Sequence, residues 1–193
     1  NPQALEALPE VRRLLFEGKN AEATKLAGEK MMGRPMGVES YQSLGDLHID
    51  CPTTETVVDY RRSLDLDTGI AAATWTADGV RFTREVFASA PDNVIAVHIT
   101  ADKPAAITCT VTITRQQDAS SLSEGNDRII LRGQIKREHY QTHKNVGMKF
   151  EAHVLAKGKG GSVASRDGKL VVEKADELLL LIAGATNYRG GEP

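Results

Sequence analysis

The segment that most constrains the fold of this chain is ITCTVTIT, residues 107–114. Apolar side chains and threonines alternate here with a period of two, and all but one of the eight residues are β-branched. This pattern is typical of a strand with one buried face and one solvated face. The residues expected to point into the core are Ile107, Cys109, Val111 and Ile113.

Strand patterns of this kind fill most of the chain after residue 40. Asp78-Gly79 separates two alternating segments and predicts a two-residue hairpin turn. The polar residues 115–128 predict a long loop, whereas the apolar residues 178–183 predict a central strand covered on both faces. Because hairpin signals are frequent and β-α-β alternation is missing, the sequence indicates a mainly β fold, an antiparallel β-sandwich.

The first part of the chain has apolar residues at helical spacing instead. Pro2 suits the first position of a helix, and Pro9 is expected to begin a second helical run in the same way. We therefore expect a single domain over residues 1–193, with an N-terminal helical arm, 1–37, followed by a β-sandwich, 38–193.

Charge and length exclude several classes of protein. The net charge of −2, with no block of Lys and Arg, gives no reason to expect a nucleic-acid partner. No apolar run approaches the roughly 18 residues of a membrane span. Because the chain starts with Asn1 rather than Met, we expect a segment of a longer protein, whose missing leader says nothing about compartment.

Two cysteines, Cys51 and Cys109, lie far apart and without CxxC spacing. Their number rules out a disulfide scaffold and a zinc knuckle. Two buried free thiols are the expectation, because free cysteine behaves as a small core residue. A single disulfide between them is the alternative.

Pairs of carboxylates are the first candidates for chemistry. Glycoside hydrolysis takes two carboxyl groups roughly 5 to 9.5 Å apart, and Asp46 with Asp50, or Asp65 with Asp67, would be such a pair. However, turns and solvated strand faces commonly carry Asp, and no apolar pocket that would tune an acid is evident around either pair. We therefore interpret them as sheet and turn residues, with catalysis as the alternative.

Histidines and aromatic residues give weaker signals. His139 and His143 are four residues apart, as in a helical zinc motif, but the segment has no interior Glu and is not convincingly helical. We expect a surface hairpin there and neither a metal site nor a cofactor. Trp75 and Tyr60 would suit a sugar-stacking platform, although a lone Trp on a strand is more often a core residue.

A family resemblance enters at YQSLGDL, residues 41–47, which resembles the YQPLGDL signature of the N-terminal domain of glycoside hydrolase family 95, the α-L-fucosidases. Ser43 stands where that family usually has Pro. Four other stretches resemble the family in the same order, while residues 115–145 show little likeness. The four matching stretches are the helical residues 1–27, YRRSLDLDTGIA (60–71), REVFASAPDNVIAVHI (84–99) and LLLLIAGATNY (178–188).

The resemblance implies a fragment of a larger, bacterial enzyme that hydrolyses α-1,2-linked fucose with inversion. It implies an antiparallel β super-sandwich, here truncated at its N-terminal edge, which packs on an (α/α)6 barrel that carries the catalytic groups. No catalytic residue is then expected in this chain. The implied partners are the barrel and a fucosylated glycan, and the implied location of the parent is the periplasm or the cell exterior. The exposed sheet edges left by the truncation predict self-association, through strand addition or through the helical arm.

The resemblance at YQSLGDL and the platform argument for Trp75 together suggest which residues touch the barrel or the substrate. Asp46, together with His48 and Asp50, is interpreted mainly as a sheet residue, and Gly45 as a point of close backbone approach. The alternatives are an independent carbohydrate-binding module and the equivalent domain of a disaccharide phosphorylase-type enzyme. The candidate substrate or domain-interface residues are Tyr41, Gln42, Gly45, Asp46 and Trp75.

Overall fold

A computed structural model describes residues 1–33, 41–54, 56–137, 144–191 and 193. The predicted surface hairpin with its two histidines at positions 139 and 143 lies outside these residues. The chain forms two compact units, residues 1–42 and residues 43–193. Each unit has its own buried apolar cluster.

The described residues of the first unit form two helices, α1 (Gln3–Phe16) and α2 (Asn20–Lys30). The expectation that Pro9 begins a second helical run is wrong, because α1 continues through it. The fixed φ of proline is compatible with a helix, so it removes one hydrogen bond without ending the element. The buried residues of this unit are Val11, Leu14 and Ala23.

The second unit consists of two antiparallel sheets, which confirms the predicted mainly β sandwich. One sheet has four strands in the order β1-β6-β11-β10, and the other has eight in the order β2-β3-β4-β5-β12-β9-β8-β7. The strands are β1 (Asp46–Asp50), β2 (Val58–Asp65), β3 (Ile70–Ala77), β4 (Val80–Ser89), β5 (Val94–Ala101), β6 (Ile107–Thr114), β7 (Ala119–Glu124), β8 (Arg128–Gln134), β9 (Lys149–Lys159), β10 (Ser162–Arg166), β11 (Lys169–Ala175) and β12 (Glu177–Thr186).

The core lies between the two sheets. Strand β6 buries the four residues predicted from its alternation, and its threonines face the other way. Full burial of an aliphatic side chain of this size stabilises the fold by about 1.5–3 kcal/mol. Core residues with 0% exposed surface come from both sheets, among them Val111, Leu170, Val172, Leu178 and Leu180.

Local turn chemistry sets the hairpins. The predicted turn at Asp78-Gly79 joins β3 to β4, and both of its residues have positive φ, 51° and 68°. Such a turn matches the twist of the two strands, and Gly adopts that backbone conformation without strain. The hairpin register follows, with Ala77 opposite Val80.

Two expectations about strands are corrected. The polar stretch 115–128 is not simply a long loop, because β7 forms within it and pairs with β8. The hydroxyl of Ser121 in β7 donates a hydrogen bond to the carbonyl of Ile113, so polar contacts replace the missing apolar alternation. Strand β12 is central, but Leu179 and Leu181 on its outer face are only partly buried, so one face rather than both is fully covered.

Candidate binding surface

The pairing register shows that the inner face of the eight-stranded sheet extends beyond the core. Directly opposed residues in neighbouring strands share a face of the sheet. One such row crosses five strands from β2 to β12. Its members are Leu64, Ala71, Val86, Val97 and Leu180. Leu180 and Val97 are buried, whereas Leu64 is 60% exposed. We call the inner face of β2, β3 and β4 the open shelf.

The open shelf holds a concave surface of about 430 Å³. Alanines of β3 contribute to its lining, and longer side chains from β2 and β4 line it as well. Of the described residues that line it, none is acidic. The longer side chains are Tyr60, Arg62, Leu64, Arg84 and Val86.

Two arginines give this concave surface a positive charge. Arg62 and Arg84 both lie opposite Ala73, one on each side of it, so their backbones are about 10 Å apart. Within the described part of the chain, neither guanidinium forms an ion pair with a carboxylate. Guanidinium groups in such a place bind carboxylates, phosphates or sugar hydroxyls through their fixed fork of donors.

Trp75 lies on the same face, opposite Phe82 in β4. The two rings are stacked with centroids 5.4 Å apart and planes 15° apart, and the Arg84 guanidinium carbon lies 5.8 Å from the Trp75 ring centre. Tyr60 lines the concave surface and is 57% exposed. The structure therefore places both predicted platform aromatics on or beside the open shelf, with Trp75 already in contact with Phe82 and Arg84.

Gly45 marks a place where two backbones approach closely. A Cβ atom added to it would lie 2.7 Å from Leu131 Cδ2 and 2.9 Å from the carbonyl oxygen of Thr114. The guanidinium of Arg115 also donates a hydrogen bond to the carbonyl of Ser43. The expected close approach at this step of the sequence is confirmed, and it fixes the entry of the chain into β1.

The acidic residues of β1 lie on its exposed face. Asp46, His48 and Asp50 are exposed, whereas Leu47 and Ile49 are partly buried against the core. Four residues along a strand span about 14 Å, so Asp46 and Asp50 are too far apart for the carboxyl pair of a glycosidase. The interpretation of all three as outward sheet residues is confirmed.

The second carboxylate pair belongs to a turn. The Asp65 carboxylate accepts hydrogen bonds from the backbone N–H of Asp67, at 2.9 Å, and of Thr68, at 3.4 Å. These backbone bonds lower the pKa of Asp65. A general acid of a glycosidase needs a raised pKa, so this arrangement favours a structural role in the β2–β3 turn.

The remaining candidates belong to the end of the first unit. Tyr41 and Gln42 are exposed, and their contact with substrate or barrel stays a prediction. Among the described residues, no three His, Cys, Asp or Glu side chains form a group that would hold a metal ion. Of the helices in these parts of the chain, none is long and apolar enough to cross a membrane.

Comparison with known proteins gives two curated relatives that match almost the whole chain. "Alpha-L-fucosidase 2" of Arabidopsis thaliana is 36% identical over 98% of this chain and 24% of its own length. "Probable alpha-fucosidase A" of Aspergillus niger is 29% identical over 94% of this chain and 22% of its own length. The chain thus spans about a quarter of the length of these relatives.

The chain is also similar to a solved structure and matches a family model. A solved structure named "Putative kojibiose phosphorylase from human microbiome" covers 76% of this chain and 22% of its own, with a TM-score of 0.44 and 11% identity. A likeness of this degree supports no inference. The family model described as "Glycosyl hydrolase family 65, N-terminal domain" matches residues 1–191. The chain therefore belongs to the family of glycosyl hydrolase family 65 N-terminal domains.

Proposed function

We propose that this chain is the non-catalytic N-terminal β-sandwich domain of an α-L-fucosidase of the family 95 type. The whole enzyme hydrolyses α-1,2-linked fucose with inversion, and this domain packs on and supports an (α/α)6 catalytic barrel elsewhere in the polypeptide. The main support is the 36% identity, over 98% of this chain, to a protein named as an α-L-fucosidase. The family model supports the coarser assignment to an N-terminal domain of a glycoside hydrolase.

The positions of the carboxylates relative to the concave surfaces support the proposed non-catalytic role. The concave surface on the open shelf has two arginines and no acid in its lining. A second, smaller concavity of about 260 Å³, near His98 and Lys157, has Glu177 as its one carboxylate. Hydrolysis of a glycoside needs two carboxyl groups that face each other across the sugar. Neither concave surface provides such a pair.

We assign the contact with the barrel to two parts of the chain. One is the open shelf, where Tyr60 and Leu64 of β2 leave apolar surface exposed. The other is the segment that carries Tyr41, Gln42, Gly45 and Asp46. Exposed apolar surface of this extent is typical of a contact with another polypeptide segment. The fucosylated glycan then binds the whole enzyme, which we place in the periplasm or outside the cell.

An activity assay tests the proposal. The isolated chain and the full-length protein are incubated with a fucosyl-α-1,2-galactose substrate. We expect no turnover by the chain alone and hydrolysis by the full-length protein, with the β anomer of fucose appearing first in a proton NMR time course. Hydrolysis by the isolated chain would overturn the non-catalytic assignment, and an inactive full-length protein would overturn the fucosidase assignment.

A carbohydrate-binding module is the second candidate function, favoured by the position of Tyr60 and Trp75 at the open shelf. It requires measurable affinity of the isolated chain for a fucosylated glycan. Calorimetry with Trp75→Ala would then show a loss of affinity of about 5- to 150-fold, because stacking of a ring on a ligand contributes on the order of 1–3 kcal/mol. An unchanged far-UV circular dichroism spectrum would show that the variant is folded.

The domain of a disaccharide phosphorylase-type enzyme is the third candidate, favoured by the family 65 description of the matching model. The two parent activities differ in the acceptor of the glycosyl group. The full-length protein, assayed with and without inorganic phosphate, separates them. A requirement for phosphate, with formation of a sugar phosphate, would favour the phosphorylase.

A further inference from the structure

The pairing of β1 with β6 places the two cysteines opposite each other. The ladder runs from Asp46 opposite Thr114 to Asp50 opposite Thr110. One more step along both chains brings Cys51 opposite Cys109. We propose that Cys51 and Cys109 form a reversible cross-strand disulfide that closes when the protein meets a low-molecular-weight disulfide such as oxidised glutathione.

The backbone spacing of the ladder meets the requirement for this bond. Directly opposed residues of an antiparallel pair have Cα atoms about 4.5 Å or about 5.5 Å apart, depending on the hydrogen-bonding class of the pair. Disulfides span Cα distances of about 4.4–6.8 Å. The Cα spacing of both classes therefore lies within the range of the bond. The Cβ atoms of opposed residues are about 4.5–5.5 Å apart, so they approach by about 1 Å or less to reach the roughly 3.5–4.5 Å of a disulfide.

The pKa values of the two thiols are shifted in opposite directions. A hydrogen bond from the Cys109 thiol lowers the pKa of Cys51 and Arg84 lowers it further, while partial desolvation of the exposed Cys51 side chain acts in the opposite direction. The same hydrogen bond and burial raise the pKa of Cys109. Because the thiolate is the attacking species, Cys51 is the thiol that reacts first.

The solvent exposure of the two thiols also indicates that Cys51 reacts before Cys109. Cys51 is exposed, whereas Cys109 is 2% exposed and belongs to the core. The expectation of two buried thiols is thus wrong for Cys51, since the chain leaves β1 just before it. A soluble disulfide reaches Cys51 directly and reaches Cys109 only through Cys51.

The exchange proceeds in two balanced steps. The Cys51 thiolate attacks one sulfur of oxidised glutathione, the glutathione disulfide bond breaks, and one glutathione thiolate leaves and takes up a proton. Cys109 then gives up its proton and attacks the Cys51 sulfur, and the second glutathione leaves. The protein dithiol is oxidised by two electrons, and one glutathione disulfide is reduced to two thiols.

The bond would link β1, an edge strand of the four-stranded sheet, covalently to its neighbour β6. A cross-link that closes a long loop restricts the unfolded chain and so stabilises the folded one. We expect the melting temperature of the oxidised protein to exceed that of the reduced protein by roughly 5 to 15 °C.

The full chain is equilibrated in buffers with graded ratios of oxidised to reduced glutathione, quenched with acid, and labelled with a polymer-linked maleimide. We expect both thiols of the native protein to disappear together, with a mass loss of two hydrogens and the rise in melting temperature. Cys109→Ala is expected to stop as a mixed disulfide of Cys51 with glutathione. Cys51→Ser is expected to keep a thiol that labels only after denaturation, and to show no rise.

Three results would overturn the proposal. The native chain could stop at the mixed disulfide, as Cys109→Ala does. It could form disulfide-linked dimers through Cys51. It could also keep both thiols in a buffer that oxidises the urea-denatured chain. Because Cys51 is exposed, Cys51→Ser is expected to fold, so the test does not depend on a substitution in the core.

Discussion

Gly45 illustrates what a single residue does in the YQSLGDL segment. The backbone at this position lies against a carbonyl oxygen of β6 and a leucine of β8, and Arg115 holds the carbonyl of Ser43 two residues earlier. These contacts order the start of β1. The segment therefore has a structural role in this unit, whatever contacts its exposed side chains make in the parent protein.

Replacement of Gly45 by alanine should therefore destabilise the second unit. The new methyl group would clash with the backbone carbonyl of Thr114 as well as with the side chain of Leu131. Because backbone is involved, the clash is removed only if the chain at residue 45 or strand β6 moves. We expect the free energy of unfolding to fall by about 1–3 kcal/mol, the usual cost of overpacking. Urea denaturation followed by circular dichroism measures it.

Gly28→Ala in α2 is the matched control for this prediction. A Cβ atom at Gly28 meets nothing within 4 Å, and the residue lies inside a helix. Alanine is expected to stabilise that helix by about 0.5–1 kcal/mol. If the urea concentration at the unfolding midpoint of Gly45→Ala equals or exceeds that of the unmodified chain, the steric explanation is contradicted.

At the level of single residues, the sequence predicted which side chains are exposed. It did not predict which residues of distant strands lie opposite each other. The outward positions of Asp46 and His48 followed from alternation, a local property of the strand. The opposition of Cys51 and Cys109 did not, because a register between distant segments depends on the whole sheet. The hydrogen bonds that assign Asp65 to a turn are likewise visible only in three dimensions.

At the level of elements, local signals were sufficient where they were strong. Strand β6 and the hairpin turn between β3 and β4 were predicted because alternation and Asp-Gly chemistry act over a few residues. Strand β7 was missed because its sequence ASSLSE has hardly any apolar alternation, and pairing with β8 holds it in place. The partial burial of Leu179 and Leu181 on the outer face of β12 was also missed, since an apolar run does not show what covers it.

Strand β2 is the element with the clearest consequence for association. It is an edge of the eight-stranded sheet, and all eight of its residues are exposed. An edge of this length offers unpaired N–H and C=O groups to another strand. The chain is therefore predicted to self-associate at high concentration.

Leu64→Lys should reduce this association about tenfold, because a charged edge residue opposes pairing with a second copy. Analytical ultracentrifugation over a range of concentrations measures the change. Phe16→Lys, at a 90% exposed position of α1, adds the same charge elsewhere and is the control. Either lysine changes the net charge from −2 to −1, which does not add repulsion between copies. An equal effect of both substitutions would therefore indicate association that also involves the helical arm. A monomeric unmodified chain would contradict the prediction itself.

At the level of the whole molecule, the two units differ in the size of their cores. Among the described residues, the cluster of the second unit contains 17 buried residues, whereas that of the first contains three, Val11, Leu14 and Ala23. Helices as short as α1 and α2 are marginal in water without tertiary packing. The second unit therefore has the means to fold by itself, and the first does not.

Expression of residues 43–193 and of residues 1–42 as separate chains tests this difference. We expect the longer piece to show a strand spectrum and one cooperative urea transition, and the shorter piece to show little helix. Circular dichroism of the intact chain provides the reference for both. Loss of cooperative unfolding in the longer piece would show that the sandwich needs the helical unit.

The order of strands in the large sheet also bears on synthesis at the ribosome. Strands β2 to β5 follow one another in the chain and in the sheet, as do β7, β8 and β9, but β12 lies between β5 and β9 and is translated after all of them. Until residues 177–186 have left the exit tunnel, the nascent chain holds two open half-sheets that cannot join. Those half-sheets are the species that a chaperone would meet.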